Sequence, residues 1–109
     1  MIVLPEVDEL KKLLQQMEMS SFLQKHLLTE MMRLAGQEFN RPEGLALVLL
    51  TMARTSLRKS YGSEKSIGSI EGCGLVGNIL PKYIRVLIPD EQVASRVIEA
   101  MGPQMIALV

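Results

Sequence analysis

Between Leu45 and Ala53 the chain is apolar nearly all round: Leu45-Ala-Leu-Val-Leu-Leu50 runs into Thr51, Met52 and Ala53. A helix with this pattern has no face to give to water, so its middle must be buried. The run is far short of the roughly 20 residues that a membrane-spanning helix needs. The fold must therefore be built around it. Its flanks mark a helix over 41–58. Asn40 can cap the start, with Pro42 in the first turn and Glu43 at the third helical position. Arg54, Arg58 and Lys59 bring positive charge to the negative end of the helix dipole.

The length, 109 residues, is that of one domain. Apolar residues make up 48% of the chain, which excludes a disordered polymer. Aromatic residues are only 4% and Trp is absent, so the core must be Leu, Ile, Val and Met. Twelve basic residues balance twelve acidic ones. That neutrality argues against attraction of the whole chain to nucleic acid or to an anionic membrane, and it lowers the barrier to self-association. The single cysteine, Cys73, allows no disulfide within the chain and fits a reducing compartment. Met1-Ile-Val-Leu-Pro5 has no basic stretch of the kind that opens a signal peptide. A cytoplasmic protein is expected.

Periodicity places further elements on either side of the central helix. Val7, Leu10, Leu13, Leu14 and Met17 share one face of a helix over 6–18. A second helix over 21–35 opens on a capping box formed by Ser21 and Gln24 and closes at Gly36. Residues 60–78 hold five of the eight glycines and read as a flexible loop, with a short strand near Ser69–Glu71. Tyr83 to Ile88 reads as a strand. Asp90 can cap a helix over 91–101, which Gly102-Pro103 should stop, and Met105 to Val109 reads as a last strand. The expected fold is α+β in one domain. A helical half of about three helices, 1–59, packs on a small β-sheet. The Gly-rich loop 60–78 leads from it to a strand–helix–strand unit over 79–109.

Few residues suggest chemistry. Gly72-Cys-Gly74-Leu-Val-Gly77 matches GxGxxG, in which glycines bring backbone amides close to a pyrophosphate. Here only the short stretch Ser69–Glu71, and no well-marked strand, precedes it, and Pro81 follows too soon for a long helix. A plain Gly-rich loop is the simpler reading. Cys73 needs a base to act as a nucleophile. The only histidine, His26, lies on the second helix, and nothing ties it to Cys73, which sits in the Gly-rich loop. One Cys and one His cannot form a structural zinc site, and no calcium-loop spacing is present. Neither a metal nor a cofactor is expected. Arg54, Arg58, Lys59 and Lys65, with Lys82 and Arg85 later, concentrate basic charge that could meet phosphate. The alternative is a solvated helix end and loop. Tyr61 and Tyr83 are too few for a base-stacking platform. Met17, Met19, Met31, Met32 and Met52 are either core or part of an oligomer surface.

One further pattern lies in the second half. Tyr61-Gly62 and Lys65 are followed by Leu80-Pro-Lys82, Ile84, Val86, Ile88, Pro89-Asp90-Glu91 and Val93. Residues 61–109 thereby resemble the second half of the PII-like signal-transduction proteins. The resemblance implies a ferredoxin-like fold in a trimeric, non-enzymatic regulator that senses a small molecule and docks on a partner protein. The first 59 residues depart from that family, whose opening unit is strand–helix–strand. Only Gly102-Pro103-Gln104 stands where it carries its Gly-rich nucleotide loop.

The functional expectation is a non-enzymatic, cytoplasmic interaction or regulatory protein, working as a homo-oligomer or with a protein partner. One alternative is a sensor of a small anionic ligand such as a nucleotide, with Lys65, Gly72, Gly74, Gly77, Lys82 and Arg85 around the site. The other is a nucleic-acid binder acting through Arg54, Arg58 and Lys59.

Overall fold

The computed structural model describes residues 2–4, 8, 11–12, 15–16 and 20–108. Strand β1 (Ile2–Val3) pairs antiparallel with β2 (Glu38–Phe39), Ile2 opposite Phe39 and Val3 opposite Glu38. Between them lies α1 (Ser21–Leu34). The long α2 (Pro42–Tyr61) follows β2. After a loop come α3 (Ile70–Gly74), a π turn over Leu75–Ile79, and α4 (Leu80–Leu87). The chain then enters α5 (Glu91–Leu108). The expectation of an α+β domain is overturned. The fold is helical, and among the described residues the sheet has these two short strands alone.

The helix α2 occupies the centre. Leu45, Ala46, Leu49, Leu50, Ala53 and Leu57 are fully buried, as their apolar run requires. It packs most extensively against α5, which contributes Ala94, Val97 and Met101, and then against α1, which contributes Leu23, Leu27 and Met31. The helical segment 70–87 adds Leu75, Leu80, Tyr83 and Ile84 to the same core. Gly62, at φ 107, is open to a conformation that side chains rarely adopt, and it ends α2 with its N–H on the Arg58 carbonyl at 2.9 Å. At the other pole Gly36, at φ 74, reverses the chain after α1. Its N–H then donates to the Leu4 carbonyl at 3.0 Å, and the Leu4 N–H donates to the Gln37 carbonyl at 3.1 Å.

Of the expected strands of the second half, Tyr83–Leu87 lies in α4 and Met105–Leu108 in α5, while Ile88 is extended. Leu80, Tyr83, Ile84 and Leu87 are buried while Lys82 and Arg85 are exposed, which is a 3.6-residue period. The β-branched and aromatic residues of Tyr83–Ile88 read as a strand only when Leu80 is left out of the pattern. Met105 and Leu108, packed against the core, continue the face of Val97 and Met101, and α5 runs on to Leu108. Gly102-Pro103 does not stop that helix. Pro103 removes one bond, to the Glu99 carbonyl, and the turns on either side hold.

The expected loop over 60–78 is also partly helical, from Ile70 onward. Ser69 caps α3, accepting from the Gly72 N–H at 3.1 Å, so Ser69–Glu71 is a helix start and not a strand. Pro81 does not end the helix. Its ring would clash with the carbonyl four residues back, at Gly77. The turn before it widens into a π turn, closed by the Leu80 N–H on the Leu75 carbonyl.

In the first half α1 starts at Ser21 as expected, but its cap lies one residue before Ser21. Ser20 is its cap, accepting from the Leu23 N–H at 3.2 Å. Arg41 occupies the cap position of α2 without a side-chain bond, in place of Asn40. Asp90 caps α5 as expected, its Oδ1 accepting from the N–H groups of Gln92 at 3.0 Å and Val93 at 3.3 Å. Of the helix expected over 6–18, Asp8, Lys11, Lys12 and Gln15 are helical and exposed. Its apolar face, Val7, Leu10, Leu13, Leu14 and Met17, lies outside the described residues. Among the described residues no helix is long and apolar enough to cross a membrane.

Candidate functional site

The residues expected to cradle an anion are placed by helix geometry. Gly72 and Gly74 lie in α3, and Gly77 lies in the π turn. Backbone N–H groups that a phosphate loop would offer are engaged. Cys73 N–H donates to the Ser69 carbonyl at 2.8 Å, Leu75 N–H to the carbonyls of Glu71 and Gly72, and Leu80 N–H to that of Leu75. Gly72 has a packing role. A Cβ there would meet the Ser66 carbonyl oxygen, and would lie 2.5 Å from Ile67 Cα. Gly74 and Gly77 face open space. The GxGxxG letters thus describe one close approach and two exposed helix positions.

The loop before α3 is held by its own polar groups. Ser69 Oγ donates to the Ser66 carbonyl at 2.6 Å, and Ser66 Oγ accepts from the Gly68 N–H at 3.2 Å. Lys65 Nζ pairs with Glu71 Oε1 at 3.3 Å. Glu71 is held below its ordinary pKa, first by a backbone N–H at the helix start and then by Lys65. Lys65 therefore has a carboxylate beside it. Lys82 and Arg85 stand exposed on α4, one turn apart. Cys73 is exposed, with Sγ 3.7 Å from the Gly68 carbonyl oxygen, and His26 is half-buried on α1. Tyr83 is buried with its hydroxyl unpartnered, and burial pushes its pKa up.

The basic end of α2 divides. Arg58 is exposed and Arg54 half-buried. Lys59 reaches across to α1, where its Nζ donates to Glu30 Oε1 at 3.1 Å. The other carboxylate oxygen, Oε2, lies 2.9 Å from Arg33 Nη1. The Glu30 side chain is 6% exposed, against 71% for Arg33 and 46% for Lys59. The sequence reading missed this trio. The Glu30–Arg33 spacing is visible as an i, i+3 pair, but the third partner lies 29 residues further on.

Beside the trio a groove of about 480 Å³ opens between α1 and α2. Leu34, Leu47, Val48 and Met52 supply its apolar surface, and Glu30, Arg33, Gln37, Thr51 and Thr55 its polar one. The methionine face expected for a partner divides too. Met31 and Met52 are core, Met32 is exposed, and Met17 and Met19 lie outside the described residues. Comparison of the chain with family models, with curated proteins and with solved structures finds no match in any of the three.

Proposed function

We propose that the chain is a non-enzymatic interaction or regulatory protein of the cytoplasm that works as a homo-oligomer. The observation that carries this reading is the apolar surface left in solvent. Among the described residues seven large apolar side chains are exposed, with Ile70 at 90% and Ile106 at 81%. These two stand on α3 and α5, and Phe22 and Met32 stand out on α1. A chain with no net charge has little self-repulsion to oppose burial of such side chains against a copy. An exposed, unpaired Cys73 suits a reducing compartment.

Sedimentation velocity over a range of concentrations tests the reading. A stable dimer or trimer is expected. A single monomeric species at high concentration would overturn it.

A further inference from the structure

Helix α5 turns one stripe of its surface to solvent. Gln92, Arg96, Glu99, Pro103 and Ile106 follow one another at helical spacing, and all are exposed. The opposite side, with Ala94, Val97 and Met101, is in the core. Arg96 and Glu99 carry opposite charges, and among the described residues neither has an ion-pair partner. Ile106 stands 81% exposed at the far end of the stripe. Pro103 leaves the Glu99 carbonyl without the N–H that would close its turn.

The order of these groups fits a copy of itself. Two helices laid antiparallel about a two-fold axis set residue i on residue j and j on i. Arg96 and Glu99 are about 4.5 Å apart along the helix. With the axis between them, each arginine meets the glutamate of the other copy. The same register sets Gln92 beside Pro103 of the other copy, where its amide can donate to the free Glu99 carbonyl. It also sets Ile106 against Pro89, which is exposed just before α5 begins. Contact then runs from Gln92 to Ile106, about 21 Å.

Other registers bring like charges together. An axis at Arg96 sets arginine on arginine, an axis at Glu99 sets glutamate on glutamate, and a parallel pair does both. Such juxtapositions suppress wrong pairings. The stripe of α1 that bears Phe22 and Met32 offers no such match, because its exposed charges, Lys25 and Arg33, are both positive.

We propose that two copies of the chain pair through α5, antiparallel, with Arg96 of each on Glu99 of the other. The proposal rests on the reading that copies associate, and it names the surface and the register.

Charge reversal tests it, read by sedimentation velocity at low salt. The wild type should be a dimer. In Arg96→Glu two carboxylates meet at each pair, and in Glu99→Arg two guanidinium groups do. Each variant alone should dimerise at least tenfold more weakly. An equimolar mixture of the two sets a carboxylate opposite a guanidinium at both pairs, so it should form a heterodimer of near wild-type affinity. Circular dichroism checks that both variants keep their helices. A monomeric wild type would overturn the proposal together with the reading it rests on. A trimeric wild type, single variants that dimerise normally, or a mixture no tighter than its components would overturn the proposal alone, since copies would then associate elsewhere.

Discussion

Lys59 Nζ lies 3.1 Å from Glu30 Oε1, joining the last turn of the central helix to the middle of α1. The carboxylate is buried and both its cations are exposed, Lys59 at 46% and Arg33 at 71%, so the two sides of the pair respond differently to substitution. Lys59→Ala should cost about 1 kcal/mol, because Glu30 keeps Arg33 and loses only one partner. Glu30→Leu should be neutral or stabilising, since the freed cations are solvated and a buried charge is replaced by apolar packing. Urea unfolding of both variants checks the order. A Glu30→Leu variant less stable than Lys59→Ala would show that the ion pair itself dominates.

Three glycines of one motif should behave in opposite ways. Gly72→Ala places a methyl group against the backbone of Ser66 and Ile67, and such overpacking costs roughly 1–3 kcal/mol. Gly74→Ala and Gly77→Ala meet nothing. Each should gain up to about 1 kcal/mol from the higher helix propensity of alanine. Thermal unfolding of the three single variants measures the contrast. Equal destabilisation by all three would mean that 72–77 is not helical.

Tyr83 buries a hydroxyl that finds no partner. Such a group carries a desolvation penalty of about 1–3 kcal/mol. Tyr83→Phe should therefore leave stability unchanged or raise it, whereas Tyr83→Ala should cost about 3–5 kcal/mol.

The same residue sets a pH dependence. Burial raises the Tyr83 pKa above its ordinary value of 10.0, so the unfolded chain loses this proton first as pH rises. Stability is complete below about pH 10 and then falls, by at most about 1.4 kcal/mol per pH unit from this group. Denaturant titrations between pH 8 and pH 11 should show the fall in the wild type and a smaller one in Tyr83→Phe. The exposed Tyr61 remains in both proteins.

What could be read from the sequence followed how far apart the deciding residues lie. The helices at 21–34 and 42–61 are legible because each carries its own period, and for α2 an apolar run that only burial explains. The cap of α5 at Asp90 is legible because capping is local. In the second half expectation and structure part because the deciding facts are not local. Tyr83–Ile88 has strand composition, and the helical period appears only with Leu80, across a proline. Pro81 and Pro103 read as stops because the rule describes an ideal α-helix. A π turn admits one, and the loss of a single bond admits the other. The Glu30–Lys59 pair and the groove beside it depend on how α1 lies against α2, which no local pattern encodes.

On the proposed function, exposed apolar side chains hold copies of this chain together. Light scattering on the wild type and on Ile70→Asp/Ile106→Asp tests it most directly, with circular dichroism to confirm unchanged helix content. The account expects a wild-type mass of two or three times 12.1 kDa and a lower mass in the double variant. A wild type that already scatters as a 12.1 kDa monomer, or a folded double variant of undiminished mass, would contradict it.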